Sequence, residues 1–285
     1  MVTRYWTGDS TNSGRFGDAA NWSDDTAPGS WGTADIVFMS DSDENLTTGL
    51  TQTSVTIAEL HIMQSWTGQF SDYLKINAGV LVIGEHNGAN SPAGSPKLMV
   101  DLRSAADPMI YVYNTSASST DANKPPVRLL ANDTDAEAYI TRGIVGIGAN
   151  NPGEAATLGK IDVSFDQQPQ FDAQVIVGDN VQLTTFDARG GQNRLDSAPT
   201  NVYVDDGTTV ISADGTVATL KVRGDVEITG NATITNPVEL YAGGSLKLDR
   251  ERVTLSNGVD LMRCGIQDVT LDLGAHLTIT PSAID

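Results

Sequence analysis

A six-residue repeat runs from Leu220 to Asn236, where the chain reads LKVRGD, VEITGN and ATITNP before VELYAGG continues the same spacing. Each unit places two apolar side chains around one polar residue and then turns at Gly, Asn, Asp or Pro. Alternate side chains of a strand face the same side. The apolar residues are therefore predicted to share one core: Leu220, Val222, Val226, Ile228, Ala232, Ile234, Val238 and Leu240. Six residues are too few for a helix, so the repeat predicts a parallel β-solenoid, or β-helix.

The composition extends this prediction to the whole chain. The 285 residues include 28 glycines and 11 prolines, and no stretch of about ten residues combines helical periodicity with helix caps. Short apolar strands separated by turn residues recur from Val55 to Ile279. We therefore predict an all-β fold.

The net charge and the first residues of the chain limit the classes of partner that are expected. Lys and Arg number 17 against 36 Asp and Glu, a formal charge of −19, which disfavours nucleic acid because its phosphates would be repelled. The start, MVTRYWTGDS, lacks a secretory signal, and no apolar run approaches the roughly 20 residues of a membrane helix. One cysteine, Cys264, excludes an intramolecular disulfide. We expect a protein made in the cytoplasm, without a membrane partner.

Three segments are expected along the chain. Residues 1–54 form a Trp-rich N-terminal cap or anchor, residues 55–159 form β-rungs with long lateral loops, and residues 160–285 form a regular solenoid. The strands between the loops, KLMVDL, MIYVY, VRLLA and YITRGIVGI, could form a small sheet beside the solenoid.

Four aromatic residues of the N-terminal segment are the candidate site. Trp6, Trp22, Trp31 and Phe38 are predicted to cap an open end of the solenoid or to contact a partner. A sugar-binding aromatic platform is the alternative.

Exposed ends also favour an oligomer. A stacked sheet leaves unpaired backbone groups at its last strand, and only TPSAID follows the final predicted strand. Another subunit could cover this end, so we expect a homotrimer with parallel axes.

The sequence offers little for catalysis or metal binding. His61, His86 and His276 are scattered without a second ligand at zinc spacing, and no serine lies in a GxSxG motif. Cys264 is interpreted as a packed thiol. We predict no catalytic, cofactor or metal site and no enzyme activity.

A partial calcium-loop pattern occurs at Asp41, Asp43 and Asn45. Leu46 replaces the required glycine and Gln52 the bidentate glutamate. A solvated acidic turn is therefore favoured over a calcium site.

Three further motifs have structural interpretations. The mixed-charge run at 249–252 is the best candidate for a polysaccharide-degrading site, although alternating charges usually form a solvated face. His276 is the sole candidate base if the hexads belonged to an acyltransferase. The Arg223-Gly224-Asp225 tripeptide falls at a hexad corner, where it is interpreted as a turn.

The N-terminal segment resembles a broad group of β-solenoid surface and virion proteins. These proteins begin with Trp-Thr-Gly and continue through Asn-Trp and Pro to a strand preceded by Asp. Here the elements are Trp6-Thr7-Gly8, Asn21-Trp22, Pro28 and Asp35-Ile36-Val37-Phe38. The following LKINAGVLVIG resembles the rungs of autotransporter-like passengers.

The resemblance implies a structural role on a tailed-bacteriophage particle. Acidic, cysteine-poor decoration (cement) proteins of such phages resemble this chain, so the expected partners are the major capsid protein or other virion subunits. The Trp-bearing segment or the loops of 84–159 would grip the capsid. The alternatives are a fibre or adhesin that binds bacterial glycans and a β-helix polysaccharide-degrading enzyme.

Overall fold

The computed structural model describes residues 1–12, 14–85, 97–113, 125–149, 154–163, 173–248, 252–262 and 270–272. Over these residues the protein is all-β, and its helical segments are two short 3₁₀ turns at Ala19–Asn21 and Pro28–Ser30. Neither of these described helices could cross a membrane. The strands are β1 (Thr3–Tyr5), β2 (Ile36–Met39), β3 (Thr51–Ile62), β4 (Leu74–Ile83), β5 (Leu98–Asp101), β6 (Met109–Val112), β7 (Val127–Leu130), β8 (Glu137–Ile140), β9 (Gly143–Ile147), β10 (Ala156–Val163), β11 (Ala173–Val177), β12 (Val181–Leu195), β13 (Asn201–Ile211), β14 (Gly215–Val217), β15 (Thr219–Val222), β16 (Asp225–Ile228), β17 (Ala232–Ile234), β18 (Val238–Tyr241), β19 (Ser245–Leu248), β20 (Thr254–Leu255), β21 (Val259–Met262) and β22 (Thr270–Asp272).

The strands of the main sheet pair in parallel and form two rows. The first row runs β1-β2-β3-β4-β6-β8-β10-β12-β13-β15-β18-β21. The second runs β4-β5-β7-β9-β11-β12-β13-β16-β19-β22. From β5 to β11 successive strands alternate between the rows, so both rows bury side chains in one interior.

Strands β4 and β12 belong to both rows and close the sheet. The start of β4 pairs with β5 through Leu74 and Lys75, and its end pairs with β6 through residues 80–83. The first half of β12 pairs with β10, and its last four residues pair with β11. The nine strands from β4 to β12 therefore form a closed parallel barrel.

This barrel corrects the fold predicted from the hexads. The parallel β-solenoid, or β-helix, with loop insertions is wrong, because the main sheet closes on itself through nine strands. The physical reason is strand length. β4 has 10 residues and β12 has 15, so each can pair with one row along its first part and with the other row along its second part.

The strands of the loop-rich middle segment also lie elsewhere than expected. KLMVDL, MIYVY, VRLLA and YITRGIVGI supply β5 to β9, which belong to the barrel wall and not to a separate lateral sheet. The polar loops at 86–96, 114–124 and 150–153 lie outside the described residues. The boundaries proposed at residues 54 and 160 fall inside β3 and β10.

The hexads supply the core as the alternation predicts. All eight apolar residues from Leu220 to Leu240 are at most 2% exposed. They lie on β15 to β18, of which β17 belongs to a separate three-stranded parallel sheet with β14 and β20. The apolar positions are therefore confirmed as core, although they reach it from different sheets.

Gly68 lies in the turn after β3, where the backbone packs closely against the segment that contains Glu44. A methyl group added at Gly68 would lie 1.9 Å from the backbone oxygen of Glu44 and 3.0 Å from the Trp66 ring. Both neighbours are held in place, so overpacking is expected to lower the free energy of unfolding of Gly68→Ala by about 3 kcal/mol. Urea denaturation measures this loss.

Gly29→Ala is the matched control, because a methyl group at that exposed position meets nothing within 4 Å. Its free energy of unfolding should stay within about 0.5 kcal/mol of the wild type. Equal stability of the two variants would show that the two turns are not packed as described.

Candidate binding surface

The three tryptophans predicted as cap or contact residues are buried. Trp6, Trp22 and Trp31 are 5%, 1% and 8% exposed. The Trp22 ring lies edge-on to Trp6 and Trp31, with centroid distances of 5.1 and 4.7 Å. Trp6 also lies 5.6 Å from Trp66, which comes between β3 and β4. The cluster therefore joins the N-terminal segment to the rest of the core.

Polar contacts fix the same cluster. The Trp22 Nε1 group donates to the Phe16 carbonyl at 3.0 Å, and the Trp31 Nε1 group donates to the Thr26 carbonyl at 3.0 Å. Of the four predicted residues, only Phe38 is partly exposed. The role of these four residues as cap or partner contact stays a prediction.

Beside this cluster, a buried ion pair connects β1 to the start of β2. Arg4 donates to Asp35 through Nη2 at 2.9 Å and also contacts Asp24. Burial alone would raise the pKa of Asp35, but hydrogen bonds from the Gly32 N–H, Arg4 and the Val2 N–H lower it to about 2. Asp35 is therefore a carboxylate at neutral pH.

A line of outward-facing residues crosses all twelve strands of the first row. Strand register places one residue of each strand beside the next, and we call this line the outer stripe. Its members are Tyr5, Phe38, His61, Val82, Tyr111, Tyr139, Asp162, Asp187, Tyr203, Lys221, Glu239 and Asp260. Together with the adjacent Tyr113 and Tyr241 it gathers six of the seven tyrosines of the chain onto one face.

The N-terminal half of the outer stripe is aromatic and apolar. Phe38 stacks on Tyr5 at 5.3 Å and on His61 at 4.5 Å. Tyr111 stacks on Tyr113 at 6.1 Å and on Tyr139 at 5.3 Å. Stacking uses the faces of these rings against one another, so mainly their edges face outward.

The middle of the outer stripe carries two carboxylates and two cations. Asp162 accepts from Lys160 Nζ at 2.9 Å and from Arg189 Nη2 at 3.0 Å. The same Arg189 nitrogen lies 3.8 Å from Asp187. Burial and the neighbouring Asp162 carboxylate raise the pKa of the Asp187 carboxyl. Asp162 is only 1% exposed, so its carboxylate lies within the protein, whereas the Asp187 side chain is partly exposed.

In the C-terminal part of the outer stripe, Glu239 and Lys221 also form hydrogen bonds and an ion pair with neighbouring side chains. Glu239 accepts from the Tyr241 hydroxyl at 2.6 Å and pairs with Lys221 at 3.2 Å, and these two contacts lower its pKa. Arg223 lies 4.4 Å above the Tyr241 ring and pairs with Asp205 at 3.2 Å. These contacts neutralise the charges locally.

The other sequence candidates do not converge on this face. Asn45 accepts the Gln69 N–H at 2.9 Å, and Asp41 has a positive φ of 51°, as turn residues do. Arg223 and Gly224 form a bend, as interpreted from the hexad. The remaining candidates, His86, Cys264, His276 and residues 249–251, lie outside the described residues.

One acidic cluster escaped the sequence analysis because its members are 26 and 28 residues apart. The carboxylates of Asp107, Asp133 and Asp135 lie within 4.8 Å of one another. Asp133 accepts the N–H groups of Asp107 and Asp135 at 3.3 and 2.9 Å, and these bonds lower its pKa. The pKa of Asp107 is raised by its acidic neighbours. The hydrogen bonds from these two N–H groups account for the closeness of the three carboxylates, because Asp133 accepts them as aspartates in turns commonly do.

Comparison with protein-family models, with curated proteins and with solved structures finds no match. On the outer stripe, rings of the N-terminal half are stacked and Asp162, Asp187, Lys221 and Glu239 lie beside opposite charges, whereas Asp260 is exposed.

Proposed function

We propose that the protein is a non-catalytic structural component of a tailed-bacteriophage virion, a decoration protein that attaches to the capsid and stabilises it. One observation supports the proposed attachment to the capsid. Of the four strongly exposed large hydrophobic residues in the described part of the chain, three lie together at one end: Met1, Val2 and Tyr5. Exposed apolar residues grouped in this way are typical of an interaction site.

The fold supports attachment through this end. β1 lies at the edge of the first row, and β2 is its described pairing partner. The Tyr5 N–H donates to Ser23 Oγ at 3.1 Å and the Tyr5 carbonyl accepts the Ser23 N–H at 2.9 Å, so exposed side chains, and not the backbone of Tyr5, are what a partner would cover. The buried tryptophan cluster and the Arg4 ion pair hold this edge rigidly against the core. The attachment surface is thus proposed to be the exposed apolar side chains at this end, Met1, Val2 and Tyr5.

Paired charges on the outer stripe support the non-catalytic part of the proposal. Asp162, the most buried carboxylate of that face, is held by Lys160 and Arg189. A decoration protein would act by bridging capsid subunits, because surface buried across their junctions opposes separation under internal DNA pressure.

Capsid co-sedimentation tests this proposal. Wild-type protein should bind capsids that lack it and raise the temperature at which they release DNA. The double variant Val2→Glu, Tyr5→Glu should bind at least about tenfold more weakly, because exposed anchors are replaced by charge. Leu261→Glu is the matched control, since Leu261 is exposed at 58% on β21, away from β1.

Three outcomes would contradict the proposal. Wild-type protein that neither binds capsids nor changes their heat resistance would exclude decoration. Cleavage of a bacterial polysaccharide would exclude the non-catalytic role, and specific glycan binding without capsid binding would indicate a fibre or an adhesin instead.

A further inference from the structure

We propose that the N-terminal half of the outer stripe, with the outward residues beside it, is the surface on which a second copy of this chain packs side by side in the same direction. This inference goes beyond the proposed function, because it concerns how copies associate and not what they attach to. The surface comprises six outward-facing residues on β2, β4 and β6: Ile36, Phe38, Val80, Val82, Met109 and Tyr111.

The first argument is that, over the described residues, no strand pairs across the outer face of this apolar part of the parallel sheet. The six side chains are half-buried by their neighbours within the sheet, and the described contacts place no further element over them. Parallel sheets are normally covered on both faces. The inner face of this row is covered by the core, so among the described residues the outer face is the one without a second layer.

The second argument is the distribution of charge. The chain carries a formal charge of −19, which makes separate copies repel one another. On the outward positions of β1, β2, β3, β4, β6 and β8 in this row, the described acidic groups are Glu59 and Glu137. Glu59 Oε2 lies 2.6 Å from His61 Nε2, and Glu137 accepts from the Tyr139 hydroxyl. Interface cores are depleted in charge and enriched in aromatic residues and Met. Two acidic copies would therefore meet with least repulsion at this face.

The chemistry favours protein over sugar as the occupant. A sugar would stack on open ring faces and hydrogen-bond to nearby polar groups. Here Tyr5, Phe38 and His61 stack on one another, and the next positions are aliphatic. Val80, Val82 and Met109 offer no side-chain hydrogen bond to a hydroxyl group.

The difference between the apolar and the charged half of the outer stripe determines the relative orientation of the two copies. A parallel arrangement places the apolar half against its own equivalent and the charged half against a charged half. An antiparallel arrangement would place Asp187 against Tyr111 and Glu239 against Phe38, and charges facing an apolar surface are costly.

The whole outer stripe is needed to reach the size of a stable contact. Its twelve strands, about 4.8 Å apart, extend for about 50 Å, and with a width of about 14 Å they approach the roughly 800 Å² per partner of a standard interface. The apolar half supplies about half of this area, and the charged half, which the parallel arrangement also brings together, supplies the rest.

Multi-angle light scattering after gel filtration tests the proposal on the full chain. Wild-type protein should elute as an oligomer at micromolar concentration. The double variant Val82→Glu, Met109→Glu adds two charges to the apolar half, and its dissociation constant should rise at least about tenfold. Val210→Glu is the matched control, because Val210 is a half-buried outward residue of the second row.

Circular dichroism verifies that each variant is folded, and hydroxyl-radical footprinting of the wild type gives a measurement without mutation. Met109 should become more reactive on dilution, when the copies separate. A wild-type monomer, or an oligomer dissociated by Val210→Glu but not by the double variant, would overturn the proposal. Glycan binding by a monomer, lost in the double variant, would assign the face to a polysaccharide. None of these outcomes depends on capsid binding, which the single variant Val2→Glu tests separately, because Val2 precedes β1 and is not a member of the outer stripe.

Discussion

Trp22→Ala is expected to lower the free energy of unfolding by about 3–5 kcal/mol, the usual cost of truncating a fully buried tryptophan. The Trp22 ring contacts Trp6, Phe16 and Trp31 at centroid distances of 4.7–5.1 Å. Removing it opens a cavity among rings that cannot collapse together, and it also leaves the Phe16 carbonyl without its indole donor. Urea denaturation followed by circular dichroism measures the loss.

Tyr5→Ala is the matched aromatic control. Tyr5 is 49% exposed, so its truncation should cost no more than about 1 kcal/mol. A loss in Trp22→Ala as small as in the control would show that the N-terminal segment is not an integral part of the core.

Arg4→Met is expected to cost about 3–5 kcal/mol at pH 7, because it leaves a buried carboxylate without its cation. Arg4 and Asp35 are 5% and 4% exposed. Methionine preserves much of the apolar stem of Arg4 but none of its donors. The contrast is Lys247→Met, which breaks an exposed pair with Glu227 and should cost about 1 kcal/mol or less.

The pH dependence distinguishes this effect from lost packing. The folded pKa of Asp35 is depressed to about 2, so the stability that Asp35 contributes is present above pH 4 and is lost as the pH falls toward 2. Without Arg4 the pKa of Asp35 is depressed less, so the variant loses less stability over that range. The difference between wild type and Arg4→Met should therefore narrow from pH 5 to pH 2.5. A constant difference would assign the loss to packing alone.

Local patterns in the sequence predict local structure well in this chain. Alternation of apolar and polar residues identifies Leu220, Val222, Val226 and Ile228 as core, and the structure buries all four. The same pattern and the turn residues give the all-β class. These features depend on side chains within six residues of one another, which periodicity detects.

Closure of the barrel and formation of the outer stripe could not be predicted in this way. Closure requires β4 and β12 each to pair with strands of both rows. The six-residue pattern does not predict with which second strand a given strand will pair. Tyr111 and Tyr139 stack although they are 28 positions apart, and their spacing follows from the length of the intervening connections. Burial of Trp6, Trp22 and Trp31 agrees with their size, but their mutual packing is set by the fold.

The ring of strands between β4 and β12 also constrains which changes of length the chain can accept. In an open row, a strand that slips by two residues disturbs only its immediate neighbours. In a closed ring, the same slip produces a register mismatch at β4 or β12, because each of these strands pairs with both rows. Insertions should therefore be accommodated in the connections between strands, whereas a two-residue insertion within β7 or β8 would have to be absorbed around the entire circumference.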